Sequence, residues 1–310
     1  MMLKALWAFA FLILAGCMTT NDAPPTNATT ETPKAAKSIQ AVFTTPDGHD
    51  YRSEIFYPTK AGKYPLIIFS HGNFASPDRY YKLLKPIASA GYIIAAPVHR
   101  DAEILALDPK PKPEKVWLTR NKEIAHLGGG PRLLSQLLAP VNAAIDREST
   151  AVMGHSYGAL IAQLAAGAIA SDPDGAQPNR KLSGVDALIA YSPPGPLPNT
   201  IDANGWSTIV VPSLTVTGTA DILPGFIDDW RLHKAGYEAT PKGSRWLWVG
   251  EGVDHYFGGS FGREKPVDPK IQKLFDLALG ATIQFLDRTL KNDRTSGPPV
   301  GTSDVEFVKD

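Results

Sequence analysis

The segment Ala151-Val152-Met153-Gly154-His155-Ser156-Tyr157-Gly158-Ala159-Leu160 limits the possible folds of this chain more than any other stretch. A short apolar run, Ala151 to Met153, stops at a Gly-x-Ser-x-Gly pentapeptide, and small residues in a helical pattern follow from Ala159 to Ala170. That order predicts a strand, a sharp turn and a helix, with Ser156 at the apex of the turn. The two glycines have a steric purpose. Strand and helix press together beside a strained serine, and a side chain at Gly154 or Gly158 would collide with them. The turn pushes the Ser156 hydroxyl outward, where a base can reach it.

A serine hydroxyl is a poor nucleophile at its free pKa, so it needs a general base and a group that orients the base. Ser213 to Gly218 reads as a buried strand with Thr219-Ala220-Asp221 at its carboxyl end. Ser244 to Val249 reads as another, followed by Gly250-Glu251-Gly252-Val253-Asp254-His255. Open α/β sheets collect their functional groups at the carboxyl ends of strands, and Ser156, Asp221 and His255 all fall there. The assignment is Ser156 as nucleophile, His255 as general base and then acid, and Asp221 as the group that fixes the imidazole tautomer. Asp254 is the other candidate acid; adjacent to His255, it would need an unusual bend to reach the same ring. A fourth strand end matters as well. Tyr64 to Ser70 is a continuous apolar run, as expected of a strand buried on both faces, and it ends at His71-Gly72-Asn73-Phe74.

Together, His71-Gly72, Gly154-His155-Ser156-Tyr157-Gly158, Asp221 and Asp254-His255 resemble the α/β-hydrolase superfamily over about residues 40 to 290. Within it the chain looks closest to serine esterases similar to dienelactone hydrolase and platelet-activating-factor acetylhydrolase, a group near the polyester hydrolases. It departs from both neighbours. Dienelactone hydrolases carry a cysteine nucleophile where this chain has Ser156; polyester hydrolases usually carry Met after the serine and a disulfide, where this chain has Tyr157 and a single cysteine. The resemblance implies hydrolysis of carboxylic esters through an acyl-enzyme, with no cofactor. It also implies an oxyanion hole made by the N–H after the nucleophile, that of Tyr157, and by one from the loop after the Tyr64–Ser70 strand. Asn73 is our assignment for that second donor, with Phe74 left open. Each such donor contributes roughly 3 kcal/mol to the transition state.

The amino terminus carries a second pattern. Met1-Met2-Leu3-Lys4 is a short basic start, Ala5 to Leu14 is apolar, and Leu14-Ala15-Gly16-Cys17 has the small residues of a cleavage site. The run is too short to span a bilayer, which takes about 20 residues, and suits a signal-peptide core. The one cysteine falls at the position that resembles the lipobox of bacterial lipoproteins. Residues 1–16 then read as signal, Cys17 as the lipidated residue, and residues 17–38, poor in large apolar side chains, as a flexible tether. Several acyl chains would hold such a protein stably on a membrane. Met18 after the cysteine favours an outer-membrane destination facing the periplasm. One cysteine cannot form an internal disulfide.

Residues 39–290 are long enough for one α/β catalytic domain, and 291–310 read as a polar tail expected to fray. Strand-like runs lie near Val42, Ser53–Tyr57, Pro65–Ser70, Tyr92–Pro97, Ala151–Met153, Ala187–Tyr191, Leu214–Thr217 and Trp246–Val249. Helix-like runs lie near Asp78–Ala90, Pro131–Asp146, Ala159–Ala170, Ile227–Lys234 and Ile271–Leu290. The alternation argues for a mostly parallel sheet with helices on both faces. His99 to Gly130 reads as a long connection without structure of its own, either a lid or a solvated excursion. Pro193 to Trp206 reads as a pocket wall. Phe74, Trp117, Trp206 and Tyr256 are the expected lining of an apolar acyl pocket.

Lys plus Arg and Asp plus Glu are both 31, a formal charge of +0 that becomes −1 if Lys4 leaves with the signal. This balance gives no reason to expect nucleic-acid binding. No histidine stands in a His-Glu-x-x-His or similar metal-ligand spacing. Three functions remain open: an envelope-anchored serine esterase, an acyltransferase or peptidase with the same three residues, and a non-catalytic binding protein on a hydrolase scaffold. The oligomeric state is left open too.

Overall fold

The computed structural model describes residues 36–111, 113–262, 268–295 and 297–310; Cys17 and the signal reading lie outside the described residues. Strands β1 (Lys37–Thr44) and β2 (Asp50–Tyr57) form an antiparallel pair. They are followed by β3 (Gly62–Ser70), β4 (Ile93–Pro97), β5 (Ala143–His155), β6 (Ala187–Tyr191), β7 (Ser213–Ala220) and β8 (Arg245–Asp254). With β9 (Val305–Lys309) they make a nine-stranded sheet in the order β1-β2-β4-β3-β5-β6-β7-β8-β9. The run from β4 to β8 is parallel, and β2 and β9 pair with its two edges antiparallel. This is the mostly parallel α/β sheet of an α/β-hydrolase fold.

Each central strand feeds both faces, because side chains alternate along it. Ile67, Phe69, Ile94 and Met153 pack to one side under α1 (Tyr81–Ser89) and α6 (Pro269–Leu290). Leu66, Ile68, Ile93 and Val152 pack to the other, under α2 (Pro113–Gly128), α3 (Arg132–Leu138) and α4 (Tyr157–Ala166). That is why β3 reads as a continuous apolar run. In α6 the buried set Leu274, Phe275, Ala278, Ala281, Thr282, Phe285 and Leu286 recurs every three or four residues, as one helix face requires. Asp268 caps this helix by accepting from Lys270 N–H, with Pro269 in the first turn. Trp246 and Trp248 are both buried in the same cluster as Phe285. Truncating a side chain such as Phe285 to alanine would cost about 3–5 kcal/mol.

Four readings of the sequence need correction. The connection from His99 to Gly130 is not without structure, since it contains α2. Its core-facing positions include Val116, Trp117, Ile124 and Leu127, but also Arg120 and Glu123, both 0% exposed. Charges at inward positions break the apolar periodicity by which a helix is recognised. The helix expected over Pro131–Asp146 stops at Leu138, after which a 3₁₀ turn containing Pro140 leads to Asn142 at φ 54° and into β5. An internal proline cannot continue the hydrogen-bond ladder. The helix expected over Ile227–Lys234 is a 3₁₀ turn, Trp230–Lys234, continued by α5 (Ala235–Ala239). Finally, the tail and the tether both contribute strand. β1 begins at Lys37, and β9 covers the outer edge of β8.

β9 is held by side chains as well as by its ladder. Phe307 packs edge-on to Trp246 with ring centroids 5.4 Å apart, and Asp310 accepts from Arg245 Nε at 3.0 Å. Deleting residues 305–310 uncovers Trp246 and strands the mostly buried Arg245. The expected loss is about 2–4 kcal/mol, a fall in melting temperature of roughly 5–10 °C by calorimetry. An unchanged melting temperature would mean that the strand is not docked.

Candidate active site

Ser156 occupies the turn between β5 and α4 with φ 54° and ψ −123°, a left-handed backbone that costs a non-glycine residue about 1–3 kcal/mol. Packing around it enforces the strain. A Cβ built on Gly154 would stand 2.2 Å from the Gly158 carbonyl oxygen, and one on Gly158 would stand 2.0 Å from the Ser70 carbonyl oxygen. Backbone therefore touches backbone from β5 through α4 to the end of β3, and Ser156 N–H donates to Tyr191 O on β6 at 2.9 Å.

The candidate residues from three strand ends meet here. Ser156 Oγ lies 2.9 Å from His255 Nε2, and His255 Nδ1 lies 2.7 Å from Asp221 Oδ1. Asp221 is fully buried and accepts a further bond from Thr217 Oγ1 at 2.7 Å on Oδ2. Burial alone would raise its pKa, but hydrogen bonds and charge from His233 and His255 outweigh that and hold it below the usual carboxylate range. Asp254 does not touch the ring; its Oδ1 accepts from Tyr256 and Gly258 N–H. Asp221, His233 and His255 also form a set of metal-ligand type. At 2.7 and 2.9 Å they stand as mutual hydrogen-bonding and ionic partners, closer than the roughly 3.3 Å between ligands around a tetrahedral zinc.

His155 locks this arrangement from below. Gly72 N–H donates to Tyr80 Oη at 2.9 Å, Tyr80 Oη donates to His155 Nδ1 at 2.9 Å, and His155 Nε2 donates to the His255 carbonyl at 2.8 Å. This chain fixes the His155 tautomer and joins the loop after β3 to the backbone of the candidate base. In that loop, Phe74 N–H is taken by Asp101 Oδ2 at 3.0 Å. Asn73 lines the cavity above Ser156, and Tyr157 opens α4 beside it.

The residues that hold the loop were not singled out from the sequence. Arg120 of α2 and Asp101 form an ion pair at 2.7 Å, both side chains nearly inaccessible. Arg120 also donates to the carbonyls of His71 and Gly72, while Asp101 takes the Phe74 N–H. Burial pushes Asp101 up, but Arg120 more than offsets it and keeps the carboxyl below its ordinary value. Beneath them, His99 N–H donates to His71 Nε2 at 3.0 Å, and the His99 ring contacts Ser70 Oγ and Glu123. Burial pushes Glu123 up to about 8, against the pull of Arg120. The signal available was position, because Val98-His99-Arg100-Asp101 directly follows the carboxyl end of β4.

A cavity of about 650 Å³ opens over Ser156 and His255. Phe74, Trp117 and Tyr256 line it as expected, with Tyr157, Phe226 and Phe261. Trp117 faces in from α2, its Nε1 donating to Asp172 at 3.1 Å. Trp206 is a correction. It is 0% exposed and packs in the core around α4 and against Gly236. The segment Pro193–Trp206 gives Pro194, Leu197, Asn199 and Thr200 to the cavity, then folds its tryptophan underneath.

Comparison with known proteins gives two matches. Residues 39–193 match the chlorophyllase family, half of the 310-residue chain, a span that includes the β3 loop and Ser156 but ends before Asp221 and His255. A stretch of 78 residues is 36% identical to a protein of Schizosaccharomyces pombe (strain 972 / ATCC 24843) named "Putative phospholipase A2". That stretch is 24% of this chain and 18% of the yeast protein, so the match spans less than a fifth of that protein's length.

Burial lowers the pKa of His71 from 6.5 to about 3, so it is neutral in the fold. A depressed folded-state value gives stability that is present above pH 6.5 and is lost as pH falls toward 3. Between pH 7 and pH 5 the wild-type protein should therefore lose about 2 kcal/mol more than His71→Gln, measured by urea unfolding. Equal losses would show that His71 is protonated or solvated in the fold.

Proposed function

The chain belongs to the chlorophyllase family, and we propose that it is a serine hydrolase that cleaves carboxylic esters through an acyl-enzyme. The observation that carries this is the continuous contact from Ser156 Oγ through His255 to buried Asp221, opening into an apolar cavity. His255 Nε2 takes the proton of Ser156 as Oγ attacks the ester carbonyl carbon. The negative charge forming on the carbonyl oxygen is met by the N–H groups of Tyr157 and Asn73, the Phe74 N–H being engaged by Asp101. Collapse of the tetrahedral intermediate breaks the ester C–O bond, and the proton on His255 leaves with the alcohol. Water, activated by the same ring, then releases the acid and frees Ser156. A cavity of about 650 Å³ is of ordinary size for a small-molecule site. Its aromatic lining suits an acyl or alcohol group of apolar character.

The narrower likeness to dienelactone hydrolase- and platelet-activating-factor acetylhydrolase-type esterases is part of this reading. So are the chain boundaries and an envelope location: cleavage before Cys17, lipidation of that cysteine, and a short tether to the catalytic domain. The name of the yeast relative points the same way, toward lipid-like esters.

p-Nitrophenyl esters from acetate to palmitate test the chemistry. The wild-type protein should show a burst of one equivalent of p-nitrophenol, and Ser156→Ala should lower kcat by about 10⁴-fold or more while remaining folded. Full activity in the variant would rule out Ser156 as nucleophile. Palmitate labelling in a bacterial host tests the anchor. Label should enter the wild-type chain and be absent from Cys17→Ser; equal labelling of both would refute lipidation at Cys17.

A further inference from the structure

The acid of the candidate triad faces two imidazoles. His233, on the Trp230–Lys234 turn, is 0% exposed. Its Nδ1 lies 2.7 Å from the Pro193 carbonyl oxygen, and its Nε2 lies 2.9 Å from Asp221 Oδ1, an ionic contact whose angle is too bent for a hydrogen bond. Neither oxygen has a proton to give. A carbonyl accepts only, so Nδ1 must carry hydrogen. In the neutral ring the electron-rich edge at Nε2 would then sit 2.9 Å from a buried carboxylate oxygen, with no hydrogen-bond partner among the described residues to offset the repulsion. Protonating Asp221 offers no escape. Its oxygens already accept from Thr217 Oγ1 and face His255 Nδ1. A ring with hydrogen on both nitrogens carries the positive charge that turns this close contact with the carboxylate from repulsive to attractive.

Resting on the reading of Ser156, His255 and Asp221 as a catalytic set, we propose that His233 is a positioning residue: a buried imidazolium that clamps Asp221 and ties it to the pocket wall through Pro193. Two consequences follow. The carboxylate is held ionised and fixed in direction, because it bridges two rings. The wall segment after β6, which lends Pro194 and Leu197 to the cavity, is anchored to the acid that orients the base. The charges around the clamp agree with it. Asp221 reaches His233 from the end of β7, His255 from the end of β8 with ring centroids 5.7 Å apart, and His155 from the last residue of β5. Arg231 and Lys234 on its own turn instead lie over Trp230. Burial opposes a charge on His233, but the Asp221 carboxylate outweighs it and raises the pKa.

The test reads the ring directly. The full-length protein labelled with ¹⁵N-histidine gives long-range ¹H–¹⁵N spectra, in which the His233 signals are assigned by their loss in His233→Gln. At pH 7 both ring nitrogens should resonate as protonated; one unprotonated nitrogen would overturn the clamp. Kinetics read its role. In His233→Gln the positive charge opposing a second imidazolium at His255 is gone. The acid limb of kcat/KM on p-nitrophenyl acetate should move up by roughly 1 to 2 pH units. At the same time kcat should fall by roughly 10- to 100-fold through loss of alignment, with KM little changed. A drop in activity with an unmoved limb would mean that His233 only packs. If His233→Gln does not fold, His233→Asn serves for the same assignment, and the wild-type spectrum then decides the protonation state. Absence of turnover by the wild-type protein would fault the esterase reading instead, independently of the ring.

Discussion

Close backbone contact at the serine turn is the constraint on which the rest of this molecule depends. At Gly154 and Gly158 there is room for hydrogen and nothing larger, because β5, α4 and the last residues of β3 meet main chain to main chain. That contact holds Ser156 in a left-handed conformation and sets the height of the His71–Phe74 loop beside it. From this point the order of the sheet does the remaining placement. β7 and β8 lie successively outward from β6, so the loops at their carboxyl ends bring Asp221 and His255 over the same spot. Residues 99 positions apart in the chain come within 2.9 Å.

A second layer of organisation is electrostatic and lies out of water. The Arg120–Asp101 pair beneath the β3 loop spends its hydrogen bonds on main-chain groups: the carbonyls of His71 and Gly72, and the N–H of Phe74. Buried ion pairs add little net stability compared with apolar packing, and removing one partner costs about 3–5 kcal/mol because the other charge is stranded. The pair is therefore better understood as fixing geometry. Oxyanion stabilisation requires donors that are already in place when charge develops, and a loop held by a guanidinium on one side and a carboxylate on the other does not need to reorganise. His233 stands in a comparable relation to Asp221 on the opposite side of the site.

The parts visible from sequence were those in which one residue type and one local pattern carry the meaning. Eight of the nine strands appear as apolar runs, and the pentapeptide around Ser156 announces its own turn. Asp221 and His255 are marked by standing just past strands. The parts that escaped are those in which tertiary context reverses the ordinary meaning of a residue. Arg120 and Glu123 look like the solvated face of α2, yet both point into the core. β9 looks like a polar tail because as an edge strand it buries only Val305 fully, with Phe307 half-covered by Trp246. Trp206 looks like an aromatic pocket wall, but proline and glycine turns carry it under the cavity. His233 has no local pattern at all, since its partners come from the ends of β6 and β7.

The central claim is that these contacts make Ser156 a nucleophile poised for acyl transfer. A fluorophosphonate probe, followed by peptide mapping of the adduct, tests it most directly. One adduct per chain, located on Ser156 and suppressed when the protein is unfolded beforehand, is the predicted result. No adduct on the folded protein, or an adduct on another residue, would contradict it.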